Sequence, residues 1–116
     1  MAIFKRELLQ LVLTGKKTQS RRTHLHRWKV GRTYAVRDQW FTKPKGHILV
    51  TRAFRQRLGQ ISPQDVQKEG FSSLEEFQQA WARIHGAWDP EQLITVYEFR
   101  LQPPTRRLST TVPTSK

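Results

Sequence analysis

The chain has 116 residues and carries 21 Lys or Arg side chains against nine Asp or Glu, so its formal net charge at pH 7 is +12. This length fits one domain with its own hydrophobic core. The absence of cysteine excludes a disulfide scaffold, a thiolate nucleophile and a cysteine-ligated zinc or iron–sulfur site. No apolar run approaches the roughly 18 residues of a membrane span. We therefore expect an intracellular, cytoplasmic protein without a membrane partner.

The positive charge is concentrated in the first half of the chain. Residues 1–58 hold fifteen Lys or Arg against two acids, residues 59–101 hold three against seven, and residues 102–116 hold three against none. Such segregation creates a positive field that attracts polyanions. Twelve aromatic residues offer surfaces on which bases stack. Nucleic acid is therefore the leading partner, and a solvated basic face without a partner is the alternative.

The first half of the chain is predicted to combine one helix with short strands. Apolar spacing predicts a helix over residues 5–14, with Leu8, Leu11 and Val12 on its buried face and Gly15 as its terminator. A basic loop over residues 16–22 leads into a strand. Runs of β-favouring residues predict further strands over residues 2–4, 33–37 and 47–54.

The second half is predicted to hold two capped helices and a long strand. Ser62 followed by Pro63 caps a short helix that stops near Gly70. Ser72 caps a second helix, which ends at Gly86 and buries a stripe formed by Leu74, Phe77, Trp81 and Ile84. Alternation predicts a final strand over residues 93–101.

The order of elements indicates the fold class and the domain boundary. Separated short strands with few helices favour an α+β fold, a small mixed β-barrel with about three flanking helices. Residues 1–101 form this domain. Residues 102–116 are rich in Pro, Ser, Thr and Arg, so we expect a basic, disordered tail.

The basic segment at residues 15–22 is the first candidate for chemistry. In an extended strand Thr18, Ser20 and Arg22 point to one face, with Lys17 beside them. A Lys base next to a hydroxyl can perform acyl transfer, and like charges lower the pKa of such a Lys; here they come from Lys16, Arg21 and Arg22. The alternatives are a phosphate-binding loop and a solvated basic loop.

The other candidates are weaker. Glu69 closes a helix, where a carboxylate opposes the dipole, but the sequence alone favours a surface glutamate. His24 and His26 have the spacing of strand metal ligands without a nearby carboxylate, so no metal site is predicted. Trp28 and Trp40 lie in the basic half and can stack on bases, although core packing explains each ring on its own.

Several segments form an ordered set of motifs. They are GKKTQSRR at residues 15–22, VGR at 30–32, DVQKEGF at 65–71, SLEEF with Trp81 at 73–81, and VYEF at 96–99. Together they resemble the ASCH domain, a branch of the PUA-like superfamily, whose signatures GxKTxxxR, xGD and DAxxEGF they follow. Arg32 replaces the acid of the second signature. The resemblance covers about residues 2–101.

The resemblance implies a fold, a ligand class and a set of site residues. It implies a PUA-like barrel with a basic cleft that binds RNA or nucleosides. Some bacterial relatives are amidohydrolases that deacetylate N4-acetylcytidine with a Lys, a Thr and a Glu, and others are described as ribonucleases. Lys17 and Glu69 match two of these residues, and Ser20 stands at the Thr position. The basic position of the same strand matches Arg22.

Three functions follow, and enzymatic activity stays open at this point. The first is hydrolysis of an acylated pyrimidine nucleoside, free or within RNA, with Lys17, Ser20 and Glu69 as catalytic residues. The second is a non-catalytic RNA-binding module. The third is a ribonuclease. No cofactor is expected for any of them. Substrate or RNA binding is assigned to Lys16, Thr18, Arg21, Arg22, Arg27, Trp28 and Trp40.

Overall fold

A computed structural model describes residues 2–23, 28–39 and 42–103. The predicted strands and helices in these segments are present, and the α+β class is confirmed. The elements, in chain order, are β1 (Ala2–Ile3), α1 (Arg6–Leu13), β2 (Gln19–Arg22), β3 (Thr33–Arg37), β4 (Gly46–Arg57), a 3₁₀ turn (Leu58–Gln60), α2 (Pro63–Lys68), α3 (Leu74–His85) and β5 (Leu93–Leu101).

The five strands form one mixed sheet in the order β1-β3-β4-β5-β2. β1 pairs with β3 in parallel, and the other three pairs are antiparallel. The two edge strands, β1 and β2, lie close together. A hydrogen bond shows this, since Arg22 Nη2 on β2 donates to the carbonyl oxygen of Ile3 on β1 at 3.0 Å. The sheet therefore curls into a partial barrel, which confirms the predicted architecture.

Buried side chains form two clusters on opposite faces of the sheet. Alternation along β5 sends Tyr97 and Phe99 to the inner face, where they pack with Leu9 and Val12 of α1. Ile94 and Val96 of β5 face outward and pack with α2 and α3. β5 therefore lies between the two halves of the core.

The buried face of α1 differs from the prediction. Leu9 and Val12 are buried, whereas Leu8 and Leu11 are half-buried. Apolar residues occupy most sides of this short helix, so periodicity alone could not choose between adjacent faces. The observed orientation of α1 places Leu8 in the lining of a cavity next to β2.

The two helices of the second half confirm most of their predicted signals. Ser62 Oγ accepts a hydrogen bond from the backbone N–H of Asp65 at 3.1 Å, as expected of a cap. The cap of α3 is Ser73, whose hydroxyl accepts from the backbone N–H of Glu76, so the prediction of Ser72 was wrong by one residue. Ser72 Oγ instead donates to the Glu76 carboxylate at 2.6 Å.

Only the middle of the predicted α3 stripe is buried. Phe77 and Trp81 belong to the outer core, as predicted, whereas Leu74 and Ile84 are each 44% exposed. These two residues lie in the first and last turns of α3. Trp88, which could not be assigned from the sequence, packs edge-on against Phe77 with ring centroids 5.9 Å apart.

β4 is longer than predicted and ends in a tight turn. Its last residues pair with the start of β5, which extends the strand to Arg57. Residues 104–116 of the predicted tail lie outside the described residues. Within the described ranges, no helix has both the length and the apolar character needed to cross a bilayer.

Replacing Gly59 with Ala should destabilise the fold by about 1–3 kcal/mol. Gly59 N donates to the carbonyl oxygen of Pro90 at 2.8 Å, and an added Cβ would lie 2.7 Å from Pro90 Cβ and 3.1 Å from that oxygen. The backbone and rigid ring of Pro90 leave little room for adjustment. Urea denaturation measures the loss. The exposed control Gln64→Ala should stay within about 0.5 kcal/mol of wild type, and equal midpoints for both variants would refute the steric argument.

Candidate functional site

A cavity of about 210 Å³ lies where the edges of the sheet meet, between β2 and the helices α1 and α3. Its lining is mostly apolar and is formed in part by Leu8, Phe71, Trp81 and Ile84. Polar groups converge on one side of it. These groups are Lys17, Ser20, Arg22 and Glu69, so the structure brings the three predicted catalytic residues and the predicted basic residue of β2 together in one cavity.

Lys17 and Glu69 form a buried ion pair. Lys17 Nζ donates to Glu69 Oε1 at 2.7 Å and to the carbonyl oxygen of Glu69 at 2.8 Å. The pair is positioned by a main-chain hydrogen bond from Thr18 N to Lys68 O at 2.8 Å. Glu69 is the C-cap of α2, where its carboxylate alone is unfavourable. The ammonium group offsets both the carboxylate and the negative end of the helix dipole.

The environment of Lys17 changes its protonation equilibrium. Burial lowers the pKa of Lys17, because the charged ammonium loses its hydration. The carboxylate of Glu69 acts in the opposite direction, and the positive charges of Arg22 and Arg21 lower the pKa further. The net effect is a lowered pKa, which increases the fraction of neutral amine that can accept a proton.

Arg21 holds the second oxygen of the Glu69 carboxylate. Its Nη1 donates to Glu69 Oε2 at 3.0 Å and also to Gln19 Oε1, and its Nη2 donates to Gln56 Oε1 at 2.9 Å. Asp65 Oδ2 lies 3.4 Å from Nη2. Glu69 is therefore fixed by a cation on each side, Lys17 and Arg21.

The network continues along the outer face of β2. Gln19 Nε2 donates to Asp65 Oδ1 at 3.2 Å and to Glu98 Oε2 at 2.9 Å. Burial alone would raise the pKa of Asp65, but hydrogen bonds from Gln19 and Ser62 and the nearby charges of Arg21 and Lys68 lower it overall. Asp65 is therefore favoured as an ionised partner for the arginine.

Ser20 is held by Arg22 on the inner face of β2. Arg22 Nε donates to Ser20 Oγ at 2.8 Å, and the guanidinium carbon lies 4.8 Å from the rings of both Phe4 and Trp28. Burial lowers the pKa of Arg22 to about 10. A guanidinium that donates to the oxygen favours the alkoxide form of a hydroxyl. Across the described residues, no hydrogen bond joins Ser20 to Lys17.

The other predicted binding residues are distributed differently. Arg21 also borders the cavity, but its side chain is enclosed by its polar partners. Lys16 is exposed, Thr18 is half-buried, and neither lines the cavity. Trp28 is buried in the inner core. Arg27 and Trp40 lie outside the described residues. The roles of all these residues in binding stay predictions.

Sequence reasoning missed several polar members of the site. Gln19, Gln56 and Asp65 join the network around Arg21. Gln19 and Asp65 lie in recognised motifs, whereas Gln56 does not. His85 borders the cavity with its ring centroid 4.0 Å from that of Trp81, and burial together with the charge of Arg22 lowers its pKa. The sequence could have indicated His85, because it follows Trp81 by one helical turn and therefore lies on the same face of α3.

His24 and His26 lie outside the described residues. In the part of the chain that the structure describes, no three His, Asp or Glu side chains cluster closely enough to hold a metal ion.

Among the solved structures that share this fold, three align over more than 80% of this chain. An ASCH domain from Lactobacillus crispatus aligns with a TM-score of 0.70 at 21% identity, over 82% of this chain and 70% of that one. A protein from Enterococcus faecalis, described under the family DUF984, gives 0.64 at 21% identity over 83% and 67% of the two chains. A mutant of the ASCH protein from Zymomonas mobilis gives 0.64 at 15% identity over 93% and 71%.

These structural similarities establish the fold. The chain has the fold of the ASCH domain, as the motifs indicated. No protein-family model and no curated protein matches it in sequence.

Proposed function

We propose that this ASCH-fold protein binds RNA or a modified nucleoside and hydrolyses an acyl amide on a pyrimidine base. One observation supports this most directly. A buried Lys17–Glu69 pair and the arginine-bound hydroxyl of Ser20 border the same largely apolar cavity. A lysine with a lowered pKa that lines the same cavity as a hydroxyl supplies the two groups of an activated nucleophile.

The dimensions of the cavity fit the proposed substrate. An engineered apolar cavity of about 150 Å³ holds benzene, so a cavity of about 210 Å³ has room for one six-membered ring with a small acyl group. Apolar walls suit the base, and the polar side suits the amide. A few placed polar groups in an apolar pocket are typical of small-molecule sites.

The proposed reaction begins with attack by Ser20. Its Oγ forms a bond to the amide carbonyl carbon, and its proton passes to the neutral amine of Lys17. The carbon–nitrogen bond then breaks, and the Lys17 ammonium returns the proton to the leaving amine of the base. Water attacks the resulting seryl ester, with Lys17 again accepting a proton, and releases the carboxylic acid and Ser20.

The remaining polar residues position and stabilise these groups. Glu69 orients Lys17 through the hydrogen bond at Oε1. The guanidinium of Arg22 already donates to Ser20 Oγ, so it is placed to stabilise negative charge that develops on the neighbouring oxygens.

Cytidine release from N4-acetylcytidine tests the proposal. The rate should increase with pH, because the neutral fraction of Lys17 increases until the pH exceeds its lowered pKa. Below that pKa, a single ionising base gives about a tenfold change in kcat/KM per pH unit. A pH-independent rate would contradict a role for Lys17 as the base. Complete absence of release across the pH range would contradict the hydrolase.

RNA binding without chemistry is the second candidate, and the charge distribution favours it. Among the described residues, several cations have no carboxylate within ion-pair distance, including Lys5, Lys16, Lys29 and Arg32. Affinity for RNA that falls steeply with salt, without cytidine release, would support this candidate. Shortening of the RNA in metal-free buffer would support a ribonuclease instead.

A further inference from the structure

A second cavity opens on the inner face of the sheet, between β4 and β5. Its volume is about 160 Å³. It is separate from the cavity that contains Lys17 and Glu69, and the proposed reaction does not use it. Its lining combines aromatic, hydroxyl and cationic side chains, namely Trp28, Ala53, Phe54, Arg55, Thr95 and Tyr97.

The strand register places the two cavities side by side. Tyr97 on β5 lies opposite Ser20 of β2 on one side and opposite Ala53 of β4 on the other. In the next row, Thr95 lies between Arg22 and Arg55 in the same way. Neighbouring strands are about 4.8 Å apart, and β5 lies between β2 and β4. The residues of β2 and β4 that flank the same β5 residue are therefore about 10 Å apart.

Trp28 lines the second cavity and contacts a residue that lines the first. Its ring contacts the guanidinium of Arg22, which lines the first cavity, at 4.8 Å. The same ring lies 4.8 Å from Tyr97, and both rings line the second cavity. The contact between Arg22 and Trp28 therefore joins the wall of the first cavity to the wall of the second.

The second cavity presents an unused polar group in its wall. Thr95 is 6% exposed, and its Oγ1 has no hydrogen-bond partner among the described residues. Buried hydroxyls without a partner are uncommon, because each one loses its hydration without compensation. A hydroxyl both donates and accepts, so a base edge that enters the cavity can satisfy it.

Arg55 provides a positive charge in the exposed part of the lining of this cavity. Arg55 is exposed, and its Nε donates to the carbonyl oxygen of Ile94 at 3.2 Å, which fixes the direction of the side chain. Its two terminal nitrogens have no partner among the described residues. A guanidinium held in this way suits a phosphate oxygen.

We propose that the second cavity is a subsite for the nucleotide next to the one that enters the first cavity, and that it selects a pyrimidine. The inference rests on the proposed function and extends it from a single nucleoside to an RNA strand. The base lies against Trp28 and Tyr97, its edge bonds to Thr95, and its phosphate pairs with Arg55. A volume near that of the benzene-binding cavity admits one six-membered ring more readily than a purine.

Calorimetric titration with defined ligands tests this subsite. Wild-type protein should bind the dinucleotide CpC about tenfold or more tightly than cytidine 5′-monophosphate, because a second base adds stacking and a second set of contacts. CpG and GpC should each bind more weakly than CpC. Arg55→Gln and Thr95→Val should each lower the affinity for CpC about fivefold, and leave the affinity for the mononucleotide unchanged.

The control variant is Arg100→Gln, which removes the same charge from the outer face of β5, where Arg100 lies opposite Leu49. It should change both affinities equally. Equal affinities of wild type for CpC and the mononucleotide would overturn the subsite alone. Loss of both affinities in the Arg55 and Thr95 variants would overturn it as well. Failure of wild type to bind any of these ligands, with no cytidine release, would overturn the proposed function together with the subsite.

Discussion

Replacing Lys17 with Met should lower kcat/KM for N4-acetylcytidine by about 10²–10⁴-fold, the usual contribution of a general base. Methionine fills a similar buried volume but cannot accept a proton. The Glu69 carboxylate keeps its contact with Arg21 in this variant, so a charged partner remains in the cavity. The rate of cytidine release, measured against pH, gives the loss directly. The pH-dependent limb of the wild-type profile should also disappear.

The Lys17→Arg variant separates charge from proton transfer. Arginine keeps a cation beside Glu69 but does not deprotonate in proteins. Its activity should therefore fall as far as that of the Met variant, while its melting temperature stays closer to wild type. Full activity in Lys17→Arg would show that the residue acts only through its charge, and the proposed reaction would then need another base.

Replacing Arg21 with Met should destabilise the protein by about 3–5 kcal/mol. The change leaves the Glu69 carboxylate with one cation instead of two, and it removes the donor that serves Gln19, Gln56 and Asp65. For a domain of this size, 1 kcal/mol corresponds to about 4–8 °C in melting temperature. Thermal unfolding followed by circular dichroism should therefore show a decrease of more than about 10 °C.

The matched control for this variant is Arg100→Met on the exposed outer face of β5. It removes an arginine of the same charge without disturbing a buried partner, so its effect should stay within about 0.5 kcal/mol. Similar melting temperatures for the Arg21 and Arg100 variants would show that the buried network contributes little to stability.

Local signals in the sequence predicted most of the fold. Ser62 and Gly86 marked helix ends correctly, because caps and left-handed terminators act within one turn. The faces of α1 and the ends of the α3 stripe were less predictable. They depend on which neighbouring surface each helix meets, and that surface comes from strands far away in the sequence.

The burial and the partners of the polar side chains in the candidate site were still harder to predict from the sequence. β2 has the composition of a solvated basic strand, yet Gln19, Ser20 and Arg21 are all buried. Gln19 and Arg21 are buried with hydrogen-bond partners because Asp65 and Glu69, in and at the end of α2, accept from them. The motifs indicated Lys17, Ser20 and Glu69 through resemblance. Spacing alone could not show which cation would contact the carboxylate and which would contact the hydroxyl.

The position of β2 in the sheet has a consequence for how the chain is made. Gln19 of β2 pairs with Glu98 of β5, 79 residues later, and β5 is the sheet neighbour of β2. At about 5–20 residues per second, a ribosome needs about 4–16 s to synthesise that interval. The nascent β2 segment waits unpaired for this time. Lys17, Arg21 and Arg22 lie in or just before this strand and repel other nascent chains, so the charges that later line the cavity first protect an open strand from aggregation.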